Sequence, residues 1–133
     1  MPDLRIVTAL PQSLRPAYEA LLASAGLRDE GDADCTALLS SDGGALLACG
    51  SVSGRVLKQI AVAPWAEGDG ACARIVTALL EESARRGVAH PFLYTKPKNA
   101  RLFRSLGFFP VAETADMLMM EHRRGGVERY IAS

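Results

Sequence analysis

The chain has few cysteines, no excess of either charge and no long hydrophobic run, and each of these shortages excludes a class of protein. Its three cysteines, Cys35, Cys49 and Cys72, match no CxxC pair and no zinc-ligand spacing, so neither a disulfide framework nor a metal site is expected. Fifteen basic residues balance fifteen acidic ones, which leaves no basic excess to attract nucleic acid or a membrane surface. No segment approaches the roughly 20 apolar residues that span a bilayer, and the N-terminus lacks a signal-peptide pattern. We therefore expect a cytoplasmic protein with free thiols, without nucleic-acid or membrane partners.

What remains is an ordinary globular composition. The chain has 133 residues, of which 49% are hydrophobic and 23% charged, which is enough for one domain with a real core. Residues 1–124 are expected to form this domain. Residues 125–133, which begin with Gly125-Gly126, are expected to be a C-terminal tail or the start of a linker helix.

The most informative stretch runs from Leu57 to Gly87. Residues 57–62 have the pattern of a strand, residues 67–70 form a glycine-containing loop, and residues 71–86 have the period of an amphipathic helix that Gly87 ends. The apolar face of this helix consists of Cys72, Ile75, Val76, Leu79, Leu80 and Ser83. A strand that passes through glycines into a helix N-terminus is a common anion site, since backbone N–H groups and the helix dipole both favour negative charge.

Three interpretations of this loop are possible. The run Gly68-x-Gly70-x-x-Ala73 satisfies the dinucleotide-binding pattern, but the required acidic residue is missing, because the next strand ends in Thr95-Lys96. A second possibility is an acetyl-coenzyme A loop. The third is a turn in which the glycines serve geometry alone.

The rest of the chain predicts an α/β protein. A strand at residues 4–10 precedes a helix at 13–25, and three strands follow, at 35–40, 45–52 and up to Pro64. After the long helix come a strand at 91–95, a short helix at 97–106 and two closing strands at 108–112 and 117–122. Trp65 is expected to pack over the end of the sheet. The order β-α-β-β-β-α-β-α-β-β indicates a mixed central sheet flanked by helices.

This order and three motifs resemble the GNAT N-acetyltransferase superfamily over nearly the whole chain. The motifs are Val62-Ala63-Pro64-Trp65, the loop Glu67-Gly68-Asp69-Gly70-Ala71-Cys72, and Leu102-Phe103-Arg104-Ser105-Leu106-Gly107-Phe108. The loop is similar to the family pattern Arg/Gln-x-x-Gly-x-Gly/Ala. The resemblance implies the GNAT (acyl-CoA N-acyltransferase) fold, with two parallel strands that splay apart to admit the coenzyme.

The resemblance also implies a binding site for acetyl-CoA or CoA. Backbone groups near residues 60–62 would bind the pantetheine amides, and the N–H groups of residues 68–72 the pyrophosphate. The candidate cofactor-binding residues are Ile60, Ala61, Val62, Glu67, Gly68, Asp69, Gly70, Ala71, Cys72, Lys96 and Phe103. Lys96 lies where an Asn often contacts the coenzyme, so it would meet a phosphate or be solvated.

Several side chains depart from the family pattern, and the catalytic residues stay unknown. Phe103 stands where many members have a Tyr that protonates the leaving thiolate, and a phenyl ring has no proton to donate. Cys72 is either a thiol activated by the helix N-terminus or, as we favour, a small residue in a tight position. His90 and His122 are more often structural than catalytic in such positions.

A more specific resemblance is to the N-terminal acetyltransferase-like domain of citrate lyase ligase. It rests on Lys58-Gln59-Ile60-Ala61-Val62, on Tyr94-Thr95-Lys96-Pro97-Lys98-Asn99 and on the run from Leu102 to Phe108. The ATP-dependent ligase chemistry of that family belongs to a separate nucleotidyltransferase domain with a paired-histidine motif, which these residues do not contain. The expectation is thus an acetyl-CoA-binding domain with weak or lost acetyl transfer to an unidentified amine. The alternative is a non-catalytic module that serves a citrate lyase ligase by binding CoA-like groups or a partner protein. The citrate lyase acyl carrier is the candidate partner that the resemblance implies.

Overall fold

The protein is described by a computed structural model, which covers residues 2–31, 33–68 and 70–123. Within these residues, seven strands form one sheet in the spatial order β1-β2-β3-β4-β5-β7-β6. The strands are β1 (Asp3–Val7), β2 (Cys35–Ser40), β3 (Leu46–Ser53), β4 (Val56–Val62), β5 (Phe92–Thr95), β6 (Phe108–Glu113) and β7 (Leu118–His122). The helices are α1 (Arg15–Ser24), α2 (Ala71–Arg85) and α3 (Ala100–Ser105).

The helices α1 and α2 pack on opposite faces of the sheet. A Cβ atom on Gly50 of β3 would lie 2.7 Å from Ile75 Cγ2 and 2.8 Å from Leu79 Cδ1, so Gly50 faces α2 at very close range. Its neighbour Ser51 points to the other face, because successive strand residues alternate, and there it lies beside Tyr18 of α1 and shares a hydrogen bond of 2.8 Å with Thr36 Oγ1. The buried face of α2 follows the predicted apolar stripe, with Ile75, Val76 and Leu79 fully enclosed.

The sheet is mixed because β4 and β5 run parallel, whereas the other neighbouring strands are antiparallel. The parallel pairing consists of Val56 with Phe92 and Leu57 with Leu93, and it goes no further. Beyond Leu57 the two strands part. The splayed parallel strands expected from the family resemblance are therefore present.

A β-bulge lies just past the point where β4 and β5 part. The β3–β4 register shifts so that Gly50 lies opposite both Gln59 and Ile60, between the pairs Cys49–Ala61 and Ser51–Lys58. Gln59 has a φ of 58°, a left-handed conformation that non-glycine residues seldom adopt. Bulges of this kind bend the strand and redirect its side chains.

The predicted order of elements is confirmed, including the mixed sheet and the flanking helices. The prediction for Trp65 was wrong, because its side chain is 65% exposed. It lies in a short 3₁₀ turn (Pro64–Ala66), in which Ala66 is the buried residue. The predicted tail at 125–133 lies outside the described residues.

Among the described residues, no helix is long and apolar enough to cross a membrane.

Candidate functional site

A cleft of about 670 Å³ opens where β4 separates from β5. It is lined by the end of β4, the loop that follows it, the first turn of α2, the end of α1, and α3 with the turn before it. The lining residues are Ser24, Ala25, Ile60, Ala61, Val62, Ala66, Glu67, Gly68, Gly70, Ala71, Cys72, Ala73, Lys98, Asn99, Leu102 and Phe103. The volume lies within the range of small-molecule and cofactor sites.

The first turn of α2 presents hydrogen-bond donors to this cleft. Arg74 N–H donates to the Gly70 carbonyl at 3.1 Å, which begins the helical ladder. The N–H groups of Ala71, Cys72 and Ala73 therefore have no acceptor within the helix. The N-cap residue is Gly70, with a φ of 80°, and among the described residues no side chain caps this end. Three donors at the positive end of a 15-residue helix form a site for an anion.

The loop before α2 is shaped by two glycines in left-handed conformation. Gly68 has a φ of 88° and Gly70 a φ of 80°, and both are exposed. A side chain at either position would meet no neighbouring atom within 4 Å, so the need for glycine comes from the backbone angle and not from crowding. Between them lies Asp69, a candidate residue that is outside the described part of the chain.

Among the described residues, two charged side chains line the cleft, and they have opposite signs. Glu67 belongs to the loop and Lys98 to the 3₁₀ turn before α3, and both are exposed. Residues 60–62, at the point of separation, carry only aliphatic side chains. The lining described here therefore has no carboxylate or histidine at the centre of the cleft, where a general base would be needed.

Cys72 lies at the first turn of α2 and lines the cleft, but it does not have the environment of a reactive thiol. Burial raises the pKa of the Cys72 thiol, which favours the protonated form. A reactive cysteine needs a lowered pKa. The interpretation as a small residue in a tight position is therefore favoured.

Phe103 forms part of the cleft wall from the side of α3. It is 6% exposed, and its ring contacts Phe108 of β6 edge-on, with the ring centres 6.0 Å apart. The ring offers an apolar surface and no proton. Leu102 is 43% exposed and also lines the cleft.

Nine of the eleven candidate cofactor-binding residues line the cleft, Lys96 does not, and Asp69 lies outside the described residues. Lys96 is exposed and precedes the turn that carries Lys98 and Asn99. Asn99, which the candidate set omitted, is fixed by a hydrogen bond from its Nδ2 to Thr95 Oγ1 at 3.0 Å. Ser24 and Ala25 were also missed, because nothing local indicates that the end of α1 meets β4.

The two histidines lie close to each other and away from the cleft. His90 Nδ1 is 3.1 Å from the His122 carbonyl, and the ring of His122 stands edge-on to Phe108 at 5.1 Å. Both belong to the end of the sheet where β5 begins, whereas the cleft opens at the end where β4 finishes. Their structural interpretation is favoured over a role as general base.

Comparison with known proteins gives relatives in sequence, although no family model matches the chain. The chain is 39% identical to the citrate lyase ligase of Klebsiella pneumoniae over 101 residues, which are 74% of this chain and 30% of that protein. It is 32% identical to the citrate lyase ligase of Escherichia coli K12 over 89 residues, which are 66% of this chain and 25% of that protein. The chain thus spans less than a third of the length of these relatives.

Solved structures share the fold over most of the chain. An acyl-CoA N-acyltransferase from Pseudomonas aeruginosa superposes with a TM-score of 0.74 at 16% identity, covering 92% of this chain and 100% of that one. The N-acetylglutamate synthase of Neisseria gonorrhoeae, in complex with coenzyme A and N-acetyl-glutamate, gives a TM-score of 0.73 at 16% identity. That match covers 91% of this chain and 35% of the synthase.

Three findings indicate the same family. They are the fold shared with the acyltransferases, the parted strands beside the glycine loop, and the sequence identity to the ligases. The chain is a GNAT-type domain that is related in sequence to part of citrate lyase ligase.

Proposed function

We propose that this domain binds acetyl-CoA or CoA in the cleft between β4 and β5. The proposal rests on one observation, which is that the gap between the two parallel strands lies next to the N-terminus of α2. The parallel strands separate after Leu57 and Leu93, and the uncapped N-terminus of α2 faces the gap that results. An extended arm with an anionic end fits a gap between strands that leads to three N–H donors without an acceptor inside the helix.

The residues that would hold the ligand follow from these donors. The pantetheine amides would pair with backbone groups of residues 60–62, which β5 does not pair. The pyrophosphate would accept hydrogen bonds at the glycine loop and the first turn of α2, with Lys98 on the opposite wall. Phe103 would pack against the thiol end of the arm. Asp69 and Lys96 stay candidates from the sequence alone.

The side chain of Glu67 fits this ligand poorly. Its carboxylate lines the cleft beside the proposed pyrophosphate site, and like charges repel. Because Glu67 is exposed, solvent screens the repulsion, and its cost is about 1 kcal/mol or less. Backbone donors dominate the site, so binding is weakened but not prevented.

Acetyl transfer by this cleft is expected to be weak or lost. The amine nitrogen must lose a proton as it attacks the thioester carbonyl, and the departing thiolate must gain one. The lining described above supplies no base at residues 60–62, and Phe103 supplies no acid. What the site would contribute is proximity, by holding the thioester in one place and orientation.

A second candidate function is a non-catalytic module, and the Phe103 ring at the acid position favours it. Such a module would bind a CoA-like group carried by a partner, for which the citrate lyase acyl carrier is our proposal because of the sequence relatives. The proposed location is the cytoplasm, where CoA is present and the three cysteines stay reduced. An amine acceptor is not specified by either function.

The test of CoA binding is a melting curve with and without ligand. CoA at about 100 times its dissociation constant should stabilise the fold by roughly 2.7 kcal/mol, which raises the melting temperature by roughly 10 °C. Gly70→Val should abolish this shift, because the side chain stands between the donors and the ligand.

The matched control is Gly87→Val. Gly87 ends the same helix with a φ of 85°, and a Cβ there also meets nothing within 4 Å, so it carries similar backbone strain away from the cleft. The control should melt lower than the parent and keep the full CoA shift. A parent whose melting curve does not move in millimolar CoA would refute the assignment, and a Gly70→Val variant that binds normally would show that the loop is only a turn.

A further inference from the structure

The basic residues of this chain are unevenly distributed, although its net charge is zero. Residues 83–112 contain no Asp or Glu, whereas Arg85, Arg86, Lys96, Lys98, Arg101 and Arg104 all lie within them. The last four belong to the turn and the short helix α3 that form one wall of the cleft, or directly precede that turn. All four are exposed, and we call them the basic surface.

The charges of the basic surface are not neutralised within the domain. Among the described residues, none of the four forms an ion pair. The two earlier cations differ in this respect, because Arg85 and Arg86 pair with Glu82 at 2.8 and 3.0 Å. Since unpaired like charges repel one another, a surface of this kind favours an anionic partner from outside the chain.

The basic surface extends from the cleft onto the outside of the domain. Lys98 lines the cleft together with the first turn of α2, whose N–H donors would hold the anionic end of the ligand. Lys96, Arg101 and Arg104 do not belong to the lining. A small molecule held in the cleft would therefore reach the first of these cations and leave the other three uncovered.

An apolar side chain lies among these cations. Leu102 follows Arg101 in α3, lines the rim of the cleft and is 43% exposed, whereas the next residue, Phe103, is buried. An exposed apolar side chain with charged residues around it is the usual arrangement of a protein–protein contact, in which an apolar centre is enclosed by a polar rim. The combination thus favours a protein with an acidic surface over a free anion.

We propose that the basic surface, with Leu102 at its centre, docks an acidic carrier protein that presents a CoA-like arm to the cleft. The thiol end of the arm enters the gap between β4 and β5, while the protein attached to the far end stays outside and contacts α3. This inference rests on the proposed function. It adds the docking surface and the chemistry of the partner, which is a protein with carboxylates around the point where the arm is attached.

The test variant is Arg101→Glu, because Arg101 is exposed and lies outside the cleft lining. The matched control is Arg5→Glu. Arg5 is an exposed cation of β1, at one edge of the sheet, whereas α3 packs on β6 at the other edge. Both substitutions change the net charge equally. The probe is the arm-bearing citrate lyase acyl carrier, titrated into the full chain at 0.1 M and at 1 M salt.

Arg101→Glu should weaken binding of the carrier about fivefold at 0.1 M salt, because a repulsion replaces an attraction at the rim of the contact. The double variant with Arg104→Glu should weaken it about 20-fold. Both losses should shrink at 1 M salt, where the Debye length is about 3 Å. Arg5→Glu should match the parent, and the dissociation constant of free CoA should stay within twofold in every variant. Excess CoA should displace the carrier, since both use the cleft.

Several outcomes would overturn the inference. An equal loss of CoA affinity in Arg101→Glu would show that the basic surface holds a phosphate of CoA itself. Equal effects of Arg101→Glu and Arg5→Glu would indicate unspecific attraction. Failure of CoA to displace the carrier, or tighter binding of a single-stranded RNA oligonucleotide than of the carrier, would assign the surface to another ligand. A parent that binds CoA but not the carrier would refute the docking surface alone, whereas a parent that does not bind CoA would refute the proposed function.

Discussion

Gly50 sets how closely α2 approaches the sheet, and Gly50→Ala tests that packing. A methyl group at this position would lie 2.7 Å from Ile75 Cγ2, 2.8 Å from Leu79 Cδ1 and 3.3 Å from Ile60 Cγ1. Carbon atoms in contact prefer separations of about 3.5–4.0 Å. Both helix side chains must therefore retreat by about 1 Å, or α2 must move outward.

The cost follows from how little room these side chains have. Ile75 and Leu79 are fully buried, and the Cγ2 of Ile75 is attached to a branched carbon that rotates only between distinct rotamers. Overpacking a core by a methyl group costs roughly 1–3 kcal/mol. For a domain of this size, that corresponds to a fall in melting temperature of about 4–12 °C.

Thermal unfolding measures this cost, with the parent and Gly43→Ala as references for Gly50→Ala. Gly43 lies in the hairpin turn between β2 and β3, its φ is not positive, and a Cβ there meets only Ser41 Oγ, at 3.9 Å. Gly43→Ala should therefore melt within about 2 °C of the parent or slightly above it. Equal melting temperatures for Gly50→Ala and Gly43→Ala would refute the claim that the helix contacts the strand this closely.

Two further predictions concern the cleft. Glu67→Arg should tighten CoA binding roughly fivefold at low salt, with a smaller gain at 1 M salt, because the Debye length falls from about 10 Å at 0.1 M to about 3 Å. The control is the matched charge reversal Glu81→Arg, on the exposed part of α2 away from the cleft, which should change the CoA affinity much less. If both reversals change the CoA affinity equally, the pyrophosphate does not lie beside Glu67. Phe103→Tyr should raise thiol release from acetyl-CoA with a panel of amines at least tenfold over the parent. Ordinary turnover by the parent itself, about 1–1000 per second, would contradict the expected weak transfer.

The order of elements could be predicted because each element is specified locally. The stripe Ile75, Val76 and Leu79 repeats with the period of a helix, and Gly87 ends that helix after Arg85. The glycine loop before α2 could also be located, because φ angles of 80–88° require glycine whatever surrounds them. The family resemblance added the splayed strands and the likeness to citrate lyase ligase, which the sequence comparisons support.

By itself, then, the sequence determined the elements, their order and the glycine loop, since these depend on period and backbone angle within a few neighbouring residues. The tertiary structure alone decided which residues that are distant in sequence contact each other. These contacts join Gln59 with residues 28–30, Gly50 with Ile75 and Leu79, and the end of α1 with the cleft. It also decided that Lys98 and not Lys96 lines the cleft, and that Trp65 stays exposed. Such contacts depend on the relative placement of packed elements, which no local pattern encodes. For this reason the backbone of the candidate site could be predicted, and the side chains that surround it could not.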